Sequence, residues 1–237
     1  MNTKSVQKIF SEVPQTYEVA NHILTMGLDM LWRKKAAKHA AQAGGAYWLD
    51  VCSGTGDMAV LLSKLAKDAT KVVSLDFSQP MLEKAKLKPE AKKIHFSISN
   101  ACNLPFSNST FDLVTISFAT RNINVTRDVL LEYFREFYRV LKPGGKFINL
   151  ETTQPKSKIV RQLFHLYARH VIAPVGQLIS GSRVAYKYLS STIPLFYTAK
   201  ELLEILSEAG FKKISFSYMT FGVCAIHTAI KCGGGKR

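Results

Sequence analysis

The stretch Trp48-Leu49-Asp50-Val51-Cys52-Ser53-Gly54-Thr55-Gly56-Asp57 is where an apolar run breaks into glycines and then resumes with helical periodicity. Tyr47 to Cys52 has the character of a buried strand, and Met58, Leu61, Leu62 and Leu65 follow at helical spacing. The glycines therefore mark a strand-to-helix turn, the place where open α/β sheets hold polar ligands. Gly54 and Gly56 permit a tight turn and let a ligand lie against bare backbone, while the helix start offers unpaired N–H donors.

Gly54-x-Gly56-x-x-Ala59 also satisfies the loose dinucleotide fingerprint. The next strand, Lys71 to Asp76, ends in an acid about 20 residues on, where a carboxylate chelates a ribose diol; Phe77 follows it on the cofactor side. Asp50 and Asp57 crowd the loop with carboxylates. They would repel a pyrophosphate but suit a ligand with an ammonium and a sulfonium, which points to S-adenosylmethionine.

With 237 residues and 47% hydrophobic content the chain can bury a sizeable core. Met1 to Val6 lacks the apolar run of a signal peptide, and no stretch of about 18 uncharged apolar residues is present to span a bilayer. The expected location is the cytoplasm, with peripheral contact to the inner membrane face. Cys52, Cys102, Cys224 and Cys232 form no C-x-x-C pair and the six histidines do not cluster with them, so no metal site is expected. The net charge of +15 points to an anionic partner. Its distribution says more: no acid lies between Glu151 and Glu201, while Lys156, Lys158, Arg161, Arg169, Arg183, Lys187 and Lys200 are basic.

Taken in order, the chain begins with a helical cap over 1–45, in which Val6, Ile9, Phe10 and Val13 share a face and Pro14 interrupts. A second helical run extends from Tyr17 through Trp32 into the alanine-rich Lys34 to Ala43 and ends at Gly44-Gly45. Tyr17, Asn21 and Asp29 are candidates to face the cofactor site. A domain over 46–231 follows, with strands at Lys71 to Asp76, Lys93 to Ser99, Phe111 to Phe118 and Lys146 to Glu151, alternating with helices from Ser78 to Lys88 and Arg127 to Leu141. Ser78 is the expected N-cap of the first of these helices. Alternation of this kind is the mark of an α/β, doubly wound, mostly parallel sheet. Its strand ends collect Asp50 with Gly54, Asp76, Asn100, Ser117 with Arg121 and Asn122, and Glu151. The Asn100 amide beside Ala101 can read the polar edge of an adenine. Lys200 to Gly210 is the last helix, and Phe211 to Met219 with Gly222 to Lys231 form a closing antiparallel pair.

Over about 152–200 the sheet pattern is suspended. Ile159, Leu163, Leu166 and Val171 make an apolar helical stripe before Pro174 and Gly176 break it, and an aromatic segment from Tyr186 to Tyr197 follows. A basic, acid-free, aromatic insertion suits a greasy ligand drawn from an anionic membrane; a dimer contact or a plain lid reads equally well. Residues 232–237 read as a flexible tail.

Three stretches carry a resemblance: Val6-x-x-Ile9-Phe10 to Tyr17-Glu18-Val19-Ala20-Asn21 with Gly27 and Trp32; Ile116-Ser117-Phe118-Ala119-Thr120-Arg121-Asn122; and Ala185-Tyr186-Lys187-Tyr188-Leu189-x-x-x-Ile193 with Gly222-Val223-x-Ala225-x-His227. With them the chain resembles the ubiquinone/menaquinone biosynthesis C-methyltransferases, within the class I S-adenosylmethionine-dependent methyltransferases. The resemblance implies a seven-stranded sheet and cofactor contacts at Thr55, Asp76, Asn100, Ala101 and Ser117. It also implies a prenylated quinol substrate, with Tyr17, Arg121 and Asn122 near its ring. Glu18, Ala119-Thr120 and Thr152 depart from the family pattern on what is expected to be the substrate side. The rival reading, an RNA methyltransferase, lacks an Asn/Asp-Pro-Pro-aromatic signature after Phe111 to Phe118, so no nucleic-acid partner is expected.

Overall fold

The computed structural model describes residues 14–233. The expected first helical face of Val6, Ile9, Phe10 and Val13, and residues 234–237, lie outside the described residues. Helices α1 (Pro14–Leu24) and α2 (Leu28–Ala41) precede β1 (Tyr47–Val51), α3 (Asp57–Leu65), β2 (Lys71–Asp76), α4 (Gln79–Lys86) and β3 (Ile94–Ile98). Next come β4 (Phe111–Ser117), the single turn α5 (Thr120–Ile123), α6 (Arg127–Val140) and β5 (Leu141–Thr152). The chain closes with α7 (Lys158–Tyr167), α8 (Ala173–Ser180), α9 (Arg183–Thr192), α10 (Ala199–Glu208), β6 (Lys212–Met219) and β7 (Cys224–Ile230).

Seven strands form one sheet in the order β3-β2-β1-β4-β5-β7-β6. The first five are parallel, and β7 runs antiparallel between β5 and β6. Asp50 pairs in register with Ser74 and with Thr115, so the carboxyl ends of β1, β2 and β4 open on the same edge. The turn Pro143-Gly144-Gly145 bulges out of β5 after α6 has already ended, and it is held by the end of β7: Gly144 N–H donates to Lys231 O at 2.6 Å and Lys231 N–H to Gly145 O at 3.0 Å.

Both faces of the sheet are covered. On one, Phe134 and Phe137 of α6 meet Phe147 of β5 and Phe211, all of them fully buried. Each ring contributes about 1.5–3 kcal/mol relative to exposure. On the other face Ala36, Ala37 and Ala40 bring α2 close to Trp48, Leu113 and Ile148, and small side chains are what that approach requires.

Three local expectations are corrected. The helical run from Tyr17 to Ala43 breaks at Met26 (φ 53°) and Gly27 (φ 76°), because left-handed backbone there ends α1 and turns the chain into α2. Ser78 flanks α4, but its hydroxyl makes no cap; its backbone N–H is instead drawn to the Asp76 carboxylate. Pro174 and Gly176 do not end the insertion's helix. A π turn over Ala168–Ile172 shifts the bonding register by one residue just ahead of Pro174, which lets the chain continue to Gly181. Gly176 is there for close approach: a β-carbon on it would lie 2.1 Å from the ring of the buried Tyr186. Around that contact the insertion packs on α1 through Ala20, Leu24, Ala168, Ile172 and Ile193.

Candidate active site

A cavity of about 900 Å³ opens at the carboxyl ends of β1, β2 and β4, lined among others by Gly54, Thr55, Asp76, Phe77, Asn100, Ala101, Ser117 and Asn122. The loop that forms its floor is tied by one carboxylate. Asp76 Oδ2 accepts from Gly54 N–H at 2.8 Å and Oδ1 from Ser78 N–H at 2.9 Å. Burial pushes Asp76 up, and the backbone N–H groups of Ser78, Gly54 and Phe77 oppose the shift. Gly54 has φ 54° and nothing within 4 Å of the place a β-carbon would take, so its backbone faces open space. Asn100 Oδ1 accepts from Cys102 N–H at 3.2 Å and Tyr133 OH at 3.5 Å, leaving its amide nitrogen out of both bonds.

Other expected residues lie elsewhere. Gly56 does not line the cavity; it starts α3 with φ 81°, and a β-carbon there would meet the Ala85 side chain at 2.9 Å, so this glycine serves helix packing rather than ligand contact. Asp50 lies in the strand beneath the floor, fully buried, with Oδ1 accepting from Thr115 Oγ1 at 2.6 Å and Oδ2 without a partner. Burial pushes it up to about 7. Asp57 lines the cavity, but its charge is met by Lys88, which also pairs with Glu18 of α1 at 2.7 Å. The anionic character of this loop therefore rests chiefly on Asp76, with Asp50 adding charge only as it ionises near pH 7. Tyr17 is in α1, and its side chain lies outside the described residues.

A second cavity of about 1080 Å³ adjoins the first, and Arg33 and Phe118 line both. Its walls are mainly apolar: Leu24, Leu28, Trp32, Phe164, Tyr167, Ile172, Leu189, Ile193 and Val223. Asn21, Asp29, Thr152 and Arg121 are among its few polar groups. Met26 lines it while 82% exposed, which places that residue at the mouth. Arg121 lines the apolar cavity and Asn122 the cofactor cavity, and the two meet in a third pocket beside Tyr188 and Thr192. Arg121 is buried, with Nη1 donating to Thr192 Oγ1 at 2.7 Å.

Of the family departures, Thr152 alone faces the second cavity. Thr120 is buried and hydrogen-bonded to Asn149, Ala119 lines the first cavity, and Glu18 is held by Lys88. Sequence reasoning missed Arg33, Phe118 and Cys52. The last two have positive φ (57° and 52°) at the ends of β4 and β1, and strain of about 1–3 kcal/mol in a non-glycine residue collects where a site needs it. No periodicity announces such backbone. Among the described residues no group of His, Cys, Asp or Glu could hold a metal ion.

The residues present fit S-adenosylmethionine. Asp76 lies on the wall where a ribose diol needs an acceptor, and Gly54 leaves backbone bare for a ligand to lie against. Comparison with known proteins agrees. A SAM-dependent methyltransferase of Thermotoga maritima shares the fold at a TM-score of 0.63 with 15% identity, covering 95% of this chain and 99% of that one. The demethylmenaquinone methyltransferase of Lactococcus lactis is 39% identical over 98% of this chain and 91% of its own length. The ubiquinone/menaquinone biosynthesis C-methyltransferase UbiE of Rickettsia felis is 36% identical over 95% and 92%. Residues 1–231 match the model of the ubiE/COQ5 methyltransferase family. With the cofactor cavity, the closing antiparallel strands and the motif Arg121-Asn122 all in place, this chain is a member of the ubiE/COQ5 methyltransferase family and an S-adenosylmethionine-dependent methyltransferase.

Proposed function

We propose that this enzyme methylates a ring carbon of a prenylated quinol, of the demethylmenaquinol kind or the equivalent ubiquinol precursor. The observation that carries this reading is the apolar cavity joined to the cofactor cavity through Arg33 and Phe118. A ring at the junction meets the cofactor side, and a prenyl chain follows Phe164, Ile172 and Ile193 toward the mouth at Met26. The relatives' names, which specify demethylmenaquinone and ubiquinone/menaquinone biosynthesis, support the same substrate class.

S-adenosylmethionine supplies an already activated methyl group. The chain must hold the nucleophile in line and exclude water. A ring carbon becomes nucleophilic when an adjacent hydroxyl, with a pKa of about 10 as an ordinary phenol, loses its proton. The reduced quinol is therefore the substrate. Asn122 orients the ring from the cofactor side, and the Arg121 cation in the wall of the apolar cavity adds positive potential on the side of the ring away from the cofactor. The ring proton at the methylated carbon leaves as aromaticity returns, so each turnover releases one proton overall.

The substrate is drawn from an anionic membrane surface. Among the described residues no helix is long and apolar enough to cross a membrane. Helix α7, however, buries none of its residues: Ile159, Leu163 and Leu166 are 71%, 62% and 56% exposed at i, i+4 and i+7. Lys158 and Arg161 lie on the same helix and Arg169 just beyond it, and Phe164 and Tyr167 turn inward to the apolar cavity. An exposed apolar stripe with basic flanks fits the headgroup boundary. Changing Leu163 and Leu166 together to Asp is expected to cut co-sedimentation with anionic vesicles by about tenfold or more, while turnover of a short-chain quinol in solution stays unchanged. Equal sedimentation of wild type and variant would remove the membrane from the reading.

The decisive assay is mass spectrometry of quinols after incubation with isotopically labelled S-adenosylmethionine and a panel of reduced prenylated benzoquinols and naphthoquinols. One labelled methyl on a ring carbon is the expected product. Transfer only to another prenylated aromatic, or to RNA, would overturn the quinol assignment.

A further inference from the structure

Two arginines stand in the wall of the apolar cavity, and each is more than nine-tenths buried with its Nε left without a partner: Arg33 and Arg121. They are not equivalent. Arg121 lines the apolar cavity and not the cofactor cavity, whereas Arg33 lines both. Arg33 is held at that boundary from two sides. Its Nη1 donates to Asp29 Oδ2 at 2.9 Å, and its guanidinium carbon lies 4.8 Å from the centre of the Phe118 ring. Asp29 is itself fixed by His22 Nδ1 at 2.8 Å and Thr25 Oγ1 at 2.9 Å. Asp29, buried beside it, takes up Nη1 and offsets part of the charge, while Nη2 makes no bond among the described residues.

A quinol carbon that accepts a methyl is bonded to the carbon that bears a hydroxyl. The oxygen beside the reacting carbon must therefore lie near the boundary of the two cavities, where Arg33 is and Arg121 is not. We propose that Arg33 is the oxyanion-binding residue of this enzyme, holding the ring oxygen next to the reacting carbon as a phenolate through its charge and its Nη2 N–H donors, which make no bond among the described residues and, unlike Nε, are not sealed in. The reaction is otherwise unchanged: the O–H bond breaks, its proton passes to solvent, and the oxygen's electron pair feeds the carbon that forms the new C–C bond. This inference rests on the quinol reading above.

The test reads ionisation rather than turnover. A prenylated chlorophenol, which cannot be confused with the groups titrating near neutrality, is bound to the enzyme and its phenolate absorbance followed with pH. Three charged or titratable groups interact with Arg33, namely Asp29 on α2, Asp50 on β1 and Cys224 on β7, and His22 on α1 pairs with the same Asp29. Asp50 titrates at about 7, below the range of the probe, and burial pushes the Cys224 thiol up, leaving it neutral. Bound to wild type, the phenol is expected to ionise about one unit lower than in solution, a tenfold change in its ionisation constant. Arg33→Gln returns it to the solution value, Arg33→Lys keeps most of the shift, and Arg121→Gln moves it less than Arg33→Gln does. Asp29→Asn must act in the opposite sense, lowering the phenol's pKa further because the Arg33 charge is no longer offset. Cofactor affinity measured by calorimetry is expected to stay within about threefold in Arg33→Gln, which separates loss of the cation from loss of the fold. If Arg33→Gln does not fold, the sign of the Asp29→Asn shift decides. No shift in wild type, or shifts of the same sign in Arg33→Gln and Asp29→Asn, overturns the inference while leaving the quinol assignment standing. Failure of wild type to bind the phenol at all overturns both.

Discussion

Asp76→Ala is expected to weaken S-adenosylmethionine binding by about a hundredfold, measured by calorimetry. The carboxylate does two jobs: it faces the cofactor cavity, and it accepts the backbone N–H groups of Gly54 and Ser78 that hold the loop and the start of α4 in place. Hydrogen bonds to a charged acceptor contribute about 1.5–3 kcal/mol each, and alanine removes both along with the ribose acceptor. Asp76→Asn retains one acceptor oxygen and is expected to lose about tenfold. Relief of the burial cost of the charge is offset in this variant by the amide NH2, which faces the N–H of Gly54 or Ser78 and leaves that donor without an acceptor, so thermal stability is expected to fall modestly. Binding by Asp76→Ala within about threefold of wild type would show that the loop is held without this residue.

The second large effect is a pair of opposed pH dependences of stability. Buried His227 donates its Nε2–H to Ala199 O at 2.9 Å, and burial pushes it down to about 4 from an ordinary 6.5. The unfolded chain binds the proton first as pH falls, so the stability from a neutral His227 is complete above pH 6.5 and is lost between about 6.5 and 4. At about 1.36 kcal/mol per unit this comes to about 3 kcal/mol. Asp50 behaves inversely. Its folded value of about 7 lies above the ordinary 3.8, so the folded chain keeps a proton the unfolded chain has released, and stability falls as pH rises between about 3.8 and 7. The size is about 4 kcal/mol. Urea unfolding across this range is expected to show His227→Gln losing the acid-side decline relative to wild type, and Asp50→Asn losing the decline toward neutral pH. Parallel stability curves for the three proteins would mean that neither group titrates differently on folding.

Much of this was legible in the chain. The apolar runs ending at Asp50, Asp76 and Ser117 announced parallel strands whose carboxyl ends share an edge, and Gly54, Asp76, Phe77, Asn100, Ala101 and Ser117 do line one cavity there. Periodicity reads which face of an element is apolar, and that suffices for a sheet. It does not read how charges are spent: Asp57 was available on the page as a cofactor carboxylate, yet Lys88, 31 residues away, takes it up. Nor does it read depth. Asp50 and Gly56 belong to the right motif, but one lies under the floor and the other against Ala85. Arg33 follows Trp32 in an alanine-rich amphipathic helix, where a cation reads as a solvated residue, and only the crossing of α2 over the end of β4 turns it inward. The π turn before Pro174 was equally hidden, because proline in a helical run ordinarily ends it.

The position of β7 has a consequence for how the molecule is made. This strand fills the slot between β5 and β6 and is synthesised after both, so until it emerges β6 has no partner and β5 is paired on one side only, with β4. The β1 to β4 half, which carries the glycine loop and Asp76, can pair earlier. Until then the nascent chain carries two open strand edges, the state in which a protein is most exposed to pairing with a stranger. His227 lies in the middle of that late strand and must enter the core uncharged. Of the seven strands described, the latest in the chain is thus the one that seals the sheet, after the half that carries the cofactor loop has had its own partners.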